Sequence, residues 1–267
     1  MAIVNEAAAI PVDRIDELSA SERWAGDARR AVSIPGGILQ RTVDMTIAKQ
    51  ALQALRDRGA AATFTHVIVR AVGLALARHP ETYRMVCGYD RVTPASIDIG
   101  VATSEVPTDL PAVVVGVERT SLGALVARVN DALGGARGST GVIARGGWFA
   151  ASGLVRRWLV RRWRLAFRSR KNLAGVFEVT CDSNADVIVP LRFHTDGVIA
   201  AGRVRDVVVV LDGKPVIRPV VHLSLSLDHV AMDGMRAATL VNAVKEILEG
   251  DELLAEAKGT PETAPAR

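Results

Sequence analysis

His229 is the residue whose setting in this sequence best suits proton transfer. It stands in Ser224-Leu-Ser-Leu-Asp-His229-Val-Ala-Met-Asp233-Gly234, four residues before a second polar group, Asp233. An imidazole titrating near about 6.5 can take the proton of an attacking thiol or hydroxyl at neutral pH. A carboxylate at the first turn of a helix caps free amides and suits the positive end of the helix dipole. The bare H-x-x-x-D-G spacing arises often by chance. The information lies in the strand–turn–helix unit around it. His66, His79, His194 and His222 have no comparable setting and read as surface or satisfied core residues.

Other chemistries find no support. There is no glycine-rich phosphate loop, dinucleotide fingerprint, G-x-S-x-G elbow or helix with paired histidines. The two cysteines, Cys87 and Cys181, are too few for a disulfide framework or a four-cysteine zinc site. No metal is expected.

The elements that must hold His229 follow from periodicity. Pro219–Asp228 alternates: Val221, Leu223, Leu225 and Leu227 share one face, His222, Ser224, Ser226 and Asp228 the other. Gly234–Glu249 has helical spacing through Met235, Ala238, Val241, Val244 and Leu248. Upstream, helices are predicted at Ile47–Arg58, Thr65–Arg78 and Leu122–Leu133, and a short one at Val12–Ser19. Strands are predicted over 37–46, Ile97–Thr103, Ala112–Glu118, Val176–Thr180, Ala185–Pro190, Val207–Leu211 and Pro215–Ile217. Asp212-Gly213 marks a hairpin turn between the last two. Interleaved strands and helices predict an α/β or α+β class.

With these residues in view, a resemblance emerges. SLSLDHVAMDGMRAATLVNAVKEILE resembles the C-terminal stretch of the catalytic domain of dihydrolipoamide acyltransferases of 2-oxoacid dehydrogenase complexes. FTHVIVRAVGLALARHPE, SIDIGVATSEVPTDLPAVVVGVERTSLGAL and VVVVLDGKPVIRPVVHLSLSLDH resemble further segments of that family. The resemblance covers roughly residues 34–254 and is closest in the last quarter. It implies a chloramphenicol acetyltransferase-like fold, with a two-layer mixed sheet and flanking helices. It also implies a homo-trimer with active sites between subunits.

By the same resemblance, His229 inherits the role of general base, and Asp233 a mainly structural one. Thr180, in Gly175-Val-Phe-Glu-Val-Thr180-Cys-Asp-Ser183, falls at the family's oxyanion-binding serine, with Ser183 as the fallback donor. Thr180 can equally be a plain strand residue. The implied reaction moves an acyl group between a thioester and a thiol, hydroxyl or amine. Coenzyme A or acyl-CoA is the expected substrate, with a lipoyl or pantetheine carrier as the alternative donor. A catalytically degenerate scaffold is the competing reading.

Departures from the family pattern are equally specific. Val230 replaces the arginine that follows the family's histidine, and a polar tail follows Leu253-Leu254 where the family has a hydrophobic anchor. A homo-trimer is expected, and whether trimers join into a larger cage stays open. Lipoyl and subunit-binding domains are not found in the sequence. Residues 144–173 carry three of the four tryptophans and a dense set of arginines. Within Val155–Lys171, Arg157, Arg161, Arg164, Arg168 and Lys171 fall on one helical face. That face suits a solvated surface, an acidic carrier domain or acyl-CoA phosphate, or an anionic membrane surface.

Composition bounds the rest. With 267 residues, 49% hydrophobic and 23% charged, the chain can bury a sizeable core in one domain. The expected organisation is a flexible arm over 1–20, a catalytic domain over 21–257 with a basic helical insert at 144–173, and a disordered tail over 258–267. The net charge of +4 gives no reason to expect nucleic acid. The N-terminus lacks a basic start for a signal peptide, so the cytoplasm is the expected location.

Overall fold

The computed structural model of the chain describes residues 14–17, 36–103, 111–145, 166–192 and 195–259. It begins with β1 (Arg14–Glu17), β2 (Ile38–Asp44), α1 (Thr46–Asp57) and α2 (Phe64–Arg78). Four short strands follow: β3 (Met85–Cys87), β4 (Asp90–Thr93), β5 (Ile99–Thr103) and β6 (Ala112–Val114). The helices α3 (Leu122–Arg145) and α4 (Phe167–Ala174) lead to β7 (Phe177–Cys181) and β8 (Gly197–Ala201). The chain continues through β9 (Arg205–Leu211), β10 (Lys214–Leu227), α5 (Gly234–Glu249) and α6 (Glu252–Lys258).

Seven strands form a mixed sheet in the order β2-β10-β8-β7-β5-β6, with β9 also paired to β10. β7 is parallel to both of its neighbours, β5 and β8, and the remaining pairings are antiparallel. A separate small sheet has the order β1-β4-β3. The period-2 pattern of β10 turns Val221, Leu223, Leu225 and Leu227 into a single core. There they join Ile99, Val101, Phe177, Val179 and Ile199, together with Val67, Val72, Leu240 and Val244 of the helices. α2 lies over β5 and β7 and packs against α5. This is the two-layer mixed α/β arrangement that the sequence predicts.

Two glycines permit close packing near the end of β10. A Cβ at Gly36 would sit 1.5 Å from the Leu227 carbonyl oxygen, and one at Gly197 would lie 2.4 Å from the Phe177 ring. A side chain at Gly36 would collide with the end of β10, and one at Gly197 would displace the Phe177 ring from the core.

The structure corrects several expectations. Arg14–Glu17 is a strand, not part of a helix: it pairs antiparallel with β4 and sets Asp16 opposite Arg91. Opposite charges across a ladder favour that pairing. Ala185–Pro190 has no regular structure, and the strand lies instead at Gly197–Ala201. The Pro215–Ile217 and Pro219–Asp228 segments are one continuous strand, β10. Val117–Arg119 is a 3-10 turn rather than strand. Of the helix expected over Val155–Lys171, the described part begins at Ala166, whose backbone is extended, so α4 starts at Phe167. Arg157, Arg161 and Arg164 lie outside the described residues. Among the described residues, no helix is long and apolar enough to cross a membrane.

Candidate active site

The chain leaves β10 through a tight turn. The Asp228 carbonyl accepts the amides of Ala231 at 3.0 Å and Met232 at 2.9 Å. Asp228 Oδ1 accepts the Val230 amide at 2.8 Å. Asp228, Val230, Ala231 and Met232 are all buried, and His229 is the one exposed residue among them. The turn thus spends its neighbours on packing and directs the imidazole outward. No hydrogen bond or ion pair engages His229 among the described residues. Val230 packs with Ala231 against Val86 of β3, so the substitution for arginine fills an apolar contact.

Behind this turn lies a buried ionic framework. Asp196 Oδ1 accepts Arg170 Nη2 at 2.9 Å, and Asp196 Oδ2 accepts the Val86 amide at 2.7 Å. Arg170 Nη1 donates to the Val86 carbonyl at 2.8 Å. The Asp196 carbonyl accepts the Asp228 amide at 2.7 Å. One residue therefore ties α4, β3 and the His229 turn together. Burial works against the Arg170 charge, but Asp196 and Cys87 outweigh it and hold the guanidinium above its ordinary value. Burial pushes the neighbouring Cys87 thiol up, with Arg170 acting in the opposite sense. Arg192 Nη1 lies 3.4 Å from Asp228 Oδ2, a second cation bracing the turn.

Asp233 is the N-cap of α5. Its Oδ1 accepts the Arg236 amide at 2.9 Å, and its Oδ2 lies 3.5 Å from Arg236 Nη1. No contact with His229 accompanies this, so its geometry is that of a capping residue.

Thr180 sits near the end of β7, half-buried, on the face opposite Phe177 and Val179. The register pairs Thr180 with Ala200 of β8, and Ala200 with Ser224 of β10. β10 ends at Leu227, three residues or about 10 Å beyond Ser224 along the strand, and His229 lies in the turn past that end. Within one chain His229 and Thr180 stand toward opposite ends of the sheet. Ser183, the fallback donor, is exposed in the turn after β7.

Glu178 shares the Thr180 face of β7, and burial pushes its carboxyl up to about 7. The remaining described histidines are accounted for. His66 is buried: its Nδ1 accepts the Thr63 amide at 3.0 Å, so its Nε2 donates to Asn130 Oδ1 at 3.1 Å. His79 lies 3.4 Å from Glu81, and His222 Nδ1 lies 3.3 Å from Thr42 Oγ1. His194 lies outside the described residues.

Sequence reasoning missed Asp196, Arg170 as a buried partner, and Arg192. Nothing in the local sequence singles out Asp196, and Arg170 reads as one cation among many. Their partners are distant in sequence, so no local spacing could reveal them. Asp228 could have been found, because it directly precedes the histidine at a strand end.

Comparison with known proteins places the chain. The family model described as 2-oxoacid dehydrogenases acyltransferase (catalytic domain) matches residues 27–141 and 191–255. The dihydrolipoyllysine-residue acetyltransferase component of the pyruvate dehydrogenase complex of Bacillus subtilis (strain 168) is 25% identical over 212 residues, 77% of this chain and 42% of that protein. The chain spans between 14% and 42% of the length of the curated relatives it matches.

Among solved structures, Azotobacter vinelandii dihydrolipoamide acetyltransferase superposes with a TM-score of 0.63 at 18% identity. That match covers 90% of this chain and 94% of that one. Its description concerns the roles of a serine, a histidine and an asparagine in the catalytic mechanism. A chloramphenicol acetyltransferase superposes with a TM-score of 0.51 at 12% identity, covering 89% of this chain and 100% of that one. Both superpositions share the two-layer fold, and the family model spans the α2 region as well as the His229 turn. The chain belongs to the family of 2-oxoacid dehydrogenase acyltransferase catalytic domains.

Proposed function

We propose that this domain transfers an acyl group from a thioester of coenzyme A, or of a lipoyl or pantetheine carrier, to a thiol, hydroxyl or amine. The observation that carries this reading is the exposed, unencumbered His229 on a turn whose other residues are buried and braced. The His229 imidazole takes the acceptor proton as the nucleophile attacks the thioester carbonyl. Thr180 Oγ1 donates to the tetrahedral oxyanion. Collapse expels the CoA sulfur, and the imidazolium returns its proton to that thiolate. No covalent enzyme intermediate is needed.

The reading requires two copies of the chain, because His229 and Thr180 stand toward opposite ends of one sheet. A homo-trimer, the assembly implied by the family resemblance, supplies the second copy. The hairpin of β9 and β10 supports such association: Val208 and Ile217 are paired in register and exposed, and Val210 beside them is exposed too. Burying such apolar surface against another copy is favourable. In the solved A. vinelandii acetyltransferase a histidine and an asparagine four positions apart bear on catalysis. His229 and Asp233 have that spacing, with aspartate as the second residue. The proposed setting is the cytoplasm, with Cys87 and Cys181 as free thiols.

The test is release of free CoA from acetyl-CoA with a panel of thiols and amines. His229→Ala is expected to lower turnover by about 10²–10⁴-fold with the fold intact. A variant that turns over at the wild-type rate rules the reading out.

A further inference from the structure

Glu178 is the only acidic or basic side chain on the three adjacent strands β5, β7 and β8. Its neighbours across the ladders are Gly100 and Val198, which offer no side-chain donor. It lies two residues from Thr180 on the same face, a separation of about 7 Å. No hydrogen bond or ion pair reaches its carboxylate among the described residues.

Among the described residues, the charges near the ends of these strands have other partners. At one end of these strands, Lys171 lies 3.3 Å from Asp98, and Arg170 lies 2.9 Å from Asp196. Beyond the other end, Asp186 is held by Arg203 and Arg205. Arg192 lies 3.4 Å from Asp228. Cys181, the nearest other titratable group on β7, is half-buried. A largely buried carboxyl without a cation is costly to ionise. Ionised beside Thr180, it would also oppose the oxyanion that the hydroxyl is there to stabilise.

We propose that Glu178 is a specificity residue that selects acyl acceptors carrying an ammonium or guanidinium group in addition to the nucleophile. The proposal rests on the acyl-transfer reading given above, and it names the acceptor class that reading leaves open. A cation docking on Glu178 supplies the missing partner, and the resulting ion pair presents no net charge to the oxyanion. As the cation binds, the neutral carboxyl releases its proton to solvent and becomes the carboxylate half of an ion pair. A neutral or anionic acceptor gains nothing there.

Two thiols of equal length, 5-aminopentane-1-thiol and 5-hydroxypentane-1-thiol, provide the test. Their binding is followed by calorimetry at pH 6.5 in two buffers of different ionisation enthalpy, and transfer is followed separately by CoA release from acetyl-CoA. The full chain is expected to bind the amino compound about tenfold more tightly, with proton release. Glu178→Gln should lose both the preference and the proton release, with Glu178→Thr as a second neutral variant should the first not fold. Equal affinity for the two thiols in the wild-type chain overturns the proposal, as does a preference that survives in the variants. A Glu178 carboxyl already ionised at pH 6 without ligand, read by carbon-13 NMR, also overturns it, because a neighbouring copy's cation would then hold it. A preference seen in binding without CoA release counts against the transfer reading and leaves the cation site standing.

Discussion

The carbonyl of Asp196 accepts the amide of Asp228 at 2.7 Å, and this bond couples the His229 turn to a buried ion pair. The side chain of the same Asp196 holds Arg170 and the Val86 amide. The position of the exposed imidazole thus depends on charges that sit well inside the protein.

Removing one partner of that pair should be severe. Arg170→Ala or Asp196→Ala leaves a buried charge uncompensated, at a cost of about 3–5 kcal/mol. Urea denaturation of each variant checks this. A double replacement by apolar residues of similar volume should recover much of the loss, because it leaves no orphaned charge.

Arg192 braces the turn through Asp228, 3.4 Å away. Arg192→Ala should lower kcat more than it raises KM, by about tenfold, since it loosens the turn that aims His229. Steady-state kinetics with acetyl-CoA measure the split. A change confined to KM would indicate that Arg192 binds substrate instead.

Asp233 has a narrower job. Asp233→Ala should cost about 1 kcal/mol of stability through the lost cap on α5, and Asp233→Asn should restore it. Neither change should move the pH profile of turnover, because Asp233 does not touch His229. Paired denaturation and pH–rate curves separate these effects.

Glu178 predicts a pH signature in stability. The folded chain holds this proton up to about pH 7, above the ordinary carboxyl value of 4.5. The native state therefore binds more protons than the unfolded state between those values, and its stability falls as pH rises through that window. The loss is at most about 3 kcal/mol. Glu178→Gln should flatten the decline and be relatively more stable than the wild type at pH 8. Chemical denaturation at pH 4.5 and 8 measures the difference.

The site was legible where local pattern and tertiary role coincide. β10 alternates and α5 has helical spacing, so the strand, the turn and the cap at Asp233 could all be read from residues 219–249. Elsewhere tertiary context overrode the local signal. Gly197–Ala201 has no polar alternation because β8 is covered on both faces, so it did not stand out as a strand. Ala185–Pro190 is apolar yet runs outside the sheet, with Val187 and Val189 exposed. Asp16 joins a strand through its position opposite Arg91, 75 residues away, which no local window contains. The buried roles of Arg170 and Arg192 depend on Asp196 and Asp228 for the same reason. The fold class and His229 were thus open to sequence reasoning, whereas the ionic framework behind His229 was not.

The central claim is an acyl-transfer site built from His229 of one copy and Thr180 of the next. Co-assembly of His229→Ala and Thr180→Ala chains, each nearly inactive alone, tests it most directly. In randomly mixed trimers about one quarter of the sites would combine an intact His229 with an intact Thr180. The account predicts CoA release at about one quarter of the wild-type rate from an equal mixture. A mixture no more active than the better single variant would contradict it.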